Sequence, residues 1–331
     1  MFPLHSTPIC HGWPVRRRHK RGLLLLFHLC FTVFFLVANL SQTAAQQRIP
    51  VSTTMNLANT TRPKTSKVSG IESKPFYEVL TKALKKRKTS LERICPEGDV
   101  VARRVLEDYG AMFVADKAVL PPPVCVFKSE EEVLEFQDVA GYETEFISYD
   151  DVQLQPAAMK ALLKARNGAL EQGLDITPRD GAEAARRNYA DSQRLWDTRF
   201  LPALEHWLTK QRLTMADVDR LRALNTHEQV AAVLELERCG IYFSKDLSKS
   251  VLYSIAAPGT SQHIAMLAFD INEFENSRVR EILAKHGWFQ TVLSDLPHFT
   301  FLGLKEKDLP KRGLKSVMLD GQTFWIPNVQ K

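Results

Sequence analysis

Apolar residues recur at helical spacing through the middle of the chain. In residues 156–172, the apolar positions Met159, Leu162, Leu163 and Leu170 lie on one side of a predicted helix, and Gly173 is a good C-terminal cap for it. The same reasoning predicts further helices over residues 100–115, 130–136, 181–211, 215–224, 227–238 and 278–286.

The last third of the chain has the composition of short strands. Residues 251–256, 265–271 and 299–302 are brief apolar runs, and residues 316–319 and 323–326 flank Asp320-Gly321, a strong hairpin signal. Helices followed by a group of short strands indicate an α+β fold. We therefore predict a helical layer packed on a small, mainly antiparallel sheet.

The N-terminal segment has the pattern of a targeting signal. The basic cluster from Arg16 to Arg21 precedes a mostly apolar run over residues 22–40, and small residues lead to a plausible cleavage site after Ala45. This run is long for a signal peptide and nearly long enough to span a bilayer. Residues 1–45 are therefore predicted to be a signal peptide or an N-terminal membrane anchor, with a buried core helix as the third option. In both leading cases the rest of the protein leaves the cytoplasm.

Composition divides the remaining chain into three parts. Residues 46–89 are predicted to be a basic linker, disordered over residues 46–74 because these are rich in small polar residues and lysine. The charge run from Lys82 to Lys88 is predicted to be the solvated face of a short helix within it. Residues 90–150 are predicted to be the helical N-terminal part of the folded region. Residues 151–331 form the domain that contains the candidate chemistry described below.

The net charge of +6 is unevenly distributed. Residues 90–331 contain 29 basic and 36 acidic residues, so the excess of basic residues lies in the N-terminal arm. A nucleic-acid enzyme is expected to have its basic patch on the folded domain, and we therefore predict no nucleic-acid partner. The arm is better suited to an anionic lipid surface or cell-wall polymer.

Export would also permit a disulfide. Cys95 and Cys125 flank one helical segment and are the preferred disulfide pair, which would leave Cys239 with an unpaired thiol. Three reduced, partly buried cysteines are the alternative.

His263, Asp270 and His298 have the residue types of a metal site. Two imidazoles and one carboxylate can hold a zinc ion and leave a fourth position open for water, which is the ligand set of a hydrolytic site. Asp295 lies three residues before His298, where a general base could reach that water.

The spacing of these residues also predicts local structure. A strand would place His263 and Asp270, seven residues apart, on opposite faces, so a turn or bulge must bring them together. Asp270 lies in an apolar run, where an unpaired carboxylate would be costly and metal coordination would remove that cost. His298 opens the next strand, which is predicted to run beside the first.

The strings Ser261-Gln-His263…Asp270 and Asp295-Leu-Pro-His298 resemble those of a known enzyme family. This is the zinc D-Ala-D-Ala carboxypeptidase and dipeptidase family, which includes the vancomycin-resistance peptidases and some phage endolysin peptidases. Its members have a Ser-x-His-(six residues)-Asp string and a later Glu-x-x-His string. The first string matches in full, and the second has Asp in place of Glu. The resemblance covers residues 150–305 and implies His263, Asp270 and His298 as zinc ligands.

By the same resemblance, Asp295 stands where the family has its general base. Because Asp is one methylene shorter than Glu, its carboxylate would fall short of the water by about 1 Å, a shift that can cost about 100-fold in rate.

The resemblance also implies an arginine that binds the substrate's carbonyl or carboxylate and stabilises the oxyanion. Arg187, in Arg187-Asn-Tyr189, is the preferred candidate, with Arg186 and Arg179 as rivals. A helix-surface arginine is the simpler alternative. Ser261 would support the site or bind the substrate terminus, although a plain turn serine is equally consistent with the string.

Together these features imply an exported zinc metallopeptidase of the D,D-carboxypeptidase or D,D-dipeptidase type. Its substrates would be peptidoglycan stem peptides or D-Ala-D-Ala termini, and it would act in the periplasm or cell envelope, tethered to the inner membrane if the N-terminal segment is retained. One alternative is a catalytically weak or inactive zinc-binding protein of the same fold that binds the cell wall. Another is an exported structural protein whose histidines are incidental.

Overall fold

The computed structural model describes residues 74–329, and this part of the chain contains nine α-helices. They span Phe76–Lys86 (α1), Leu91–Ile94 (α2), Val100–Tyr109 (α3), Glu130–Ala140 (α4), Pro156–Leu170 (α5), Tyr189–Thr209 (α6), Met215–Ala223 (α7), Thr226–Arg238 (α8) and Ser277–Lys285 (α9). Among the described residues, none of these helices is both long enough and apolar enough to cross a membrane. The predicted signal peptide or anchor, and residues 46–73 of the predicted linker, lie outside the described residues.

Seven strands form three small antiparallel sheets in the same part of the chain. The strands are Glu143–Ile147 (β1), Asp150–Leu154 (β2), Ala268–Asp270 (β3), Trp288–Phe289 (β4), His298–Phe301 (β5), Leu314–Leu319 (β6) and Gln322–Pro327 (β7). β1 pairs with β2, β5 lies between β3 and β4, and β6 pairs with β7. The predicted mixture of helices with small antiparallel sheets is confirmed, although the strands form three sheets and not one.

Side-chain caps determine where most of these helices begin. Seven of the nine helices of residues 74–329 start at a Ser, Thr, Asp or Asn whose side chain accepts a backbone N–H of the first turn. Asn188 and Asp191 form such a capping box at the start of α6. The predicted helix over residues 181–211 is therefore wrong in its first part, where a short 3-10 helix, Gly181–Ala184, precedes the cap.

Another predicted element needs correction. Residues 251–256 are not a strand, since Val251–Tyr253 is a 3-10 turn held partly by the carboxylate of Glu237, which accepts the N–H of Val251 at 2.6 Å.

Residues 90–329 belong to one compact unit, and the β1–β2 hairpin continues across positions 150 and 151.

The short helix predicted at the charge run is present as α1, although the linker was predicted to include it. Phe76, Leu80 and Leu84 of α1 are buried in the core, Tyr77 and Val79 pack against it, and the lysines face solvent. The helix therefore belongs to the folded part of the chain.

The cysteines also differ from prediction. Cys95 and Cys125 are buried and free, so the preferred pair is not formed. Burial and the neighbouring Cys95 thiol raise the pKa of Cys125, which disfavours the thiolate that disulfide formation requires.

One close backbone crossing joins the N-terminal part to the loop before the candidate metal ligands. The N–H of Phe127 donates to the carbonyl of Gly259 at 2.9 Å. Gly259 has a φ of +78°, and a Cβ there would lie 2.0 Å from the Phe127 carbonyl oxygen. Only glycine allows this approach, so the crossing sets the position of the loop that leads into residues 261–267.

The burial of α1 predicts that Leu80→Ala destabilises the protein by about 2–5 kcal/mol, because it removes a core side chain and leaves a cavity. Chemical denaturation of the full chain would measure this. Lys86→Ala, on the exposed face of the same helix, should change stability by less than about 0.5 kcal/mol. Equal effects of the two substitutions would show that α1 is not part of the core.

Candidate metal centre

A tight turn brings His263 to the end of β3. The N–H of Ile264 donates to the carbonyl of Ser261 at 3.1 Å, and the N–H of Met266 donates to that of His263 at 3.0 Å. Met266 is buried and has a φ of +54°, a left-handed conformation that reverses the chain. The predicted turn between His263 and Asp270 is thus present, and regular strand structure begins only at Ala268.

The pairing of β3 with β5 places the other two residues together. Asp270 lies directly opposite His298 in this antiparallel pair, as expected from the prediction that the two strands run side by side. His263, Asp270 and His298 are all buried, and their potential ligand atoms lie within 4.8 Å of one another. His298 Nδ1 is 3.0 Å from Asp270 Oδ1 and 3.1 Å from His263 Nε2, which is 3.3 Å from Asp270 Oδ2.

The surroundings of His263 determine which of its nitrogens faces the cluster with a lone pair. Its Nδ1 lies 2.9 Å from the carbonyl oxygen of Ala185. A carbonyl only accepts, so Nδ1 carries the proton and Nε2 presents its lone pair to Asp270 and His298. Burial and the Arg187 guanidinium lower the pKa of His263 to about 4, which keeps the ring neutral at neutral pH.

In His298 the two ring nitrogens exchange places relative to His263: Nδ1 faces the cluster, and Nε2 faces the side chain of Gln262. The amide nitrogen of Gln262 donates to the carbonyl of Tyr109 at 2.8 Å, which leaves the amide oxygen facing His298 Nε2 at 2.8 Å. That oxygen only accepts, so His298 can donate Nε2–H to it while the lone pair of Nδ1 faces the cluster.

Two imidazole lone pairs and a carboxylate therefore converge on one point. Burial by itself would raise the pKa of Asp270, but its interactions with His263 and His298 hold the pKa well below the usual range, so the carboxylate is ionised. A bound cation would satisfy all three groups, and each histidine already has the outer hydrogen bond that metal-binding histidines require. The group His263–Asp270–His298 can hold a metal ion.

Of the three candidate arginines, Arg187 is the one whose guanidinium reaches this cluster. Its Nη2 donates to Asp270 Oδ2 at 2.9 Å and its Nε donates to the Glu183 carbonyl at 2.8 Å. Arg186 instead binds Gln137 and Gln153 and lies over the ring of Tyr142, and Arg179 lies over Phe274. Arg187 precedes the cap of α6, so it is not a helix-surface arginine.

Asp295 and Ser261 line a cavity of about 150 Å³ together with Arg187, His263 and His298. Asp295 lies in the loop between β4 and β5, where its backbone carbonyl accepts the N–H of His298 at 3.3 Å. Burial and the charge of Asp270 raise the pKa of Asp295 to about 6. Ser261 Oγ accepts the N–H of His263 at 3.3 Å, so this serine both supports the turn and faces the cavity.

The rest of the cavity wall mixes apolar and hydroxyl side chains. The apolar side chains come from α6, the 250–256 segment and the loop after β4: Leu195, Leu252, Ile255, Ala256 and Val292. The hydroxyl side chains are Tyr109, Ser192, Tyr253, Ser254 and Ser294, and the Tyr109 hydroxyl donates a hydrogen bond to the carbonyl of Leu252. A ligand in this cavity would meet both these groups and the metal-site residues.

Sequence reasoning missed two members of the site. Gln262 is the unspecified residue of the Ser-x-His string, and the signal that could have revealed it is a long amide directly beside a candidate ligand in an otherwise apolar segment. Ala185 acts through its backbone carbonyl, so its side chain carries no signal.

Comparison with models of known protein families and with curated proteins gives no match for this chain.

The convergence of three ligand atoms predicts that the protein binds about one divalent metal ion per chain. His263→Ala should weaken metal affinity by at least about 100-fold, because loss of an outer partner alone costs about 10- to 100-fold. Chelator competition and elemental analysis of the full chain would measure this.

His286→Ala is the matched control, because His286 is a half-buried histidine at the end of α9, away from the cavity. It should retain the wild-type affinity. Equal metal content in the two variants would contradict the site.

Proposed function

We propose that this protein is an exported zinc metallopeptidase that hydrolyses peptidoglycan stem peptides or D-Ala-D-Ala termini. The observation that supports the proposal most strongly is the convergence of the His263, Asp270 and His298 ligand atoms beside a cavity. His263 and His298 line this cavity together with Asp295 and Arg187. His263, Asp270 and His298 would hold the zinc. When bound, zinc would supply a Lewis acid that polarises a carbonyl and acidifies a water molecule.

Asp295 is the proposed general base. Its carboxylate faces the cavity, and a pKa near 6 leaves it ionised at neutral pH while keeping it basic enough to take a proton. Asp295 would accept a proton from the attacking water and then return it to the nitrogen of the leaving amine. The water oxygen would form a bond to the carbonyl carbon, the C–N bond would then break, and the returned proton would let the nitrogen leave as a neutral amine.

Arg187 is proposed to act on both the site and the substrate. Among its contacts with the described residues, Nε and Nη2 are used by the Glu183 carbonyl and Asp270, so Nη1 is the donor that can reach a substrate carbonyl. A fixed guanidinium at this position would stabilise the negative charge that develops on that oxygen. Ser261, on the same side of the cavity, would bind the substrate terminus.

The shape of the cavity supports a small substrate side chain. A volume of about 150 Å³ suits an alanine methyl group better than a long side chain. The leader and the basic arm predicted from the sequence support a location in the periplasm or cell envelope. There the arm would keep the enzyme close to anionic wall polymer or lipid.

The second candidate is a zinc-binding protein that binds the cell wall with little or no turnover. The observation that favours it is the short side chain of Asp295, which stands where the resembling family has a glutamate. The two candidates share the metal site and differ only in whether Asp295 reaches the attacking water.

Asp295→Asn is expected to lower kcat by about 10²- to 10⁴-fold, because an amide cannot accept the proton, while metal content stays at the wild-type level. The assay is release of D-alanine or of a dipeptide from peptidoglycan fragments. Asp295→Glu should retain measurable turnover, and Asp138→Asn, an exposed change of the same chemistry on α4, should have no effect.

Unchanged turnover in Asp295→Asn would remove Asp295 from the mechanism. A wild-type protein that contains stoichiometric zinc but releases no product would favour the binding protein.

A further inference from the structure

Positive charge in the described part of the chain is concentrated in two segments. Residues 74–88 contain six basic residues and one acidic residue, and residues 305–312 contain four basic and two acidic residues. The rest of residues 74–329 contains 24 basic and 34 acidic residues. A net charge of +7 in the two segments therefore stands against a net charge of −10 in the rest of the described chain.

The fold brings these two segments together. α1 lies beside residues 310–313, where the N–H of Lys74 donates to the carbonyl of Pro310 at 3.1 Å. Gly313 is so close that a Cβ there would lie 2.8 Å from the Cα of Phe76. Near the other end of α1, burial and the charge of the Arg312 guanidinium lower the pKa of Arg87. The cations of residues 74–88 and 305–312 thus form one surface, which we call the basic face.

The carboxylates within the basic face neutralise only part of it. Glu78 binds Lys82 at 2.6 Å and Asp308 lies 3.8 Å from Lys311, while Glu306 accepts the indole N–H of Trp325 at 3.2 Å. Among residues 74–329, the cations of the basic face that have no ion-pair partner include Lys85, Lys86, Arg87, Lys88 and Arg312. Like charges held together repel one another, and an anionic surface would relieve that repulsion.

The residue types of the basic face favour a lipid surface over a nucleic acid. Eight of its ten basic residues are lysines. The planar fork of arginine suits the recognition of nucleic acids, whereas the lysine ammonium is a hydrated point charge. Clusters of about four to eight basic residues bind anionic headgroups through charge alone.

The course of the chain favours the same partner. The described residues begin in the basic face, at Lys74, so residues 22–40, the predicted signal peptide or anchor, are joined to the domain at this face. The sequence prediction counted the lysines of α1 with the N-terminal arm, but the structure places them on the folded part of the chain.

We propose that the basic face docks the folded part of the protein onto an anionic phospholipid bilayer. The same lipids would repel the remaining surface, with its net charge of −10, so the face also determines which side of the domain meets the membrane. This inference goes beyond the proposed function, because it depends on neither the metal site nor the reaction.

The first test is acetylation of lysines in the full-length protein, measured by mass spectrometry. The protein would be bound to vesicles of phosphatidylglycerol and phosphatidylcholine in equal parts, or mixed with vesicles of phosphatidylcholine alone. Lys85, Lys86 and Lys311 should react at least about fivefold more slowly on the anionic vesicles, because each cation at such a surface contributes about a factor of five to binding. High salt should remove the difference.

Lys160 and Lys210 are the internal controls, because both are exposed lysines outside the basic face. They should react equally with both kinds of vesicle. Equal reactivity of Lys85 and Lys311 on the two kinds of vesicle would overturn the proposal. Protection of these lysines by a soluble DNA duplex but not by anionic vesicles would overturn it in favour of a nucleic-acid partner.

The second test compares two double variants of the full chain. Lys85→Gln with Lys86→Gln should weaken docking by about 30-fold, since two charges are lost, and the protection of Lys311 on anionic vesicles should fall accordingly. Lys160→Gln with Lys210→Gln removes the same charge elsewhere and should leave that protection unchanged. Equal protection of Lys311 in the two double variants would contradict the role of the basic face.

The results separate this inference from the proposed function. Both double variants should retain the metal content and product release of the wild-type protein, because none of the substituted lysines lines the cavity. A wild-type protein that docks on anionic vesicles but holds no metal would overturn the proposed function and support the docking surface.

Discussion

The buried carboxylate of Asp270 is the group on which the whole site depends. An ionised carboxylate inside a protein is costly unless it is paired, and here His263, His298 and Arg187 surround it. The register of β3 with β5 places Asp270 opposite His298, and the turn at 261–267 brings in His263. A single cross-strand pair and one turn thus concentrate negative charge and lone pairs at one point, which favours a cation there.

The N-terminal helical part supports this point through its backbone. The carbonyl of Tyr109 orients Gln262, and the N–H of Phe127 holds Gly259 just before the metal-site turn. This region packs into the same compact unit as the site. Loops that carry functional groups need a rigid support, and in this protein the N-terminal helices supply it.

Local signals determined the parts of the fold that were predicted well. Capping residues and apolar spacing placed most helices, and Asp320-Gly321 marked the β6–β7 hairpin. The failures share a physical cause, because each involves a segment stabilised from outside itself. Val251–Tyr253 is a turn because the side chain of Glu237 binds its backbone, and α1 belongs to the folded part because its apolar face packs on the core.

For the candidate site, the sequence by itself determined the residue types and spacing of His263, Asp270 and His298, and required a turn between the first two because strand side chains alternate. Only the tertiary structure decided which arginine reaches them and which nitrogen of each ring faces the cluster. Those choices depend on contacts between residues far apart in the chain, such as Tyr109 and Gln262, which are separated by 153 positions. Such contacts leave no periodic trace in the sequence, because they follow from how the elements pack and not from how each one forms.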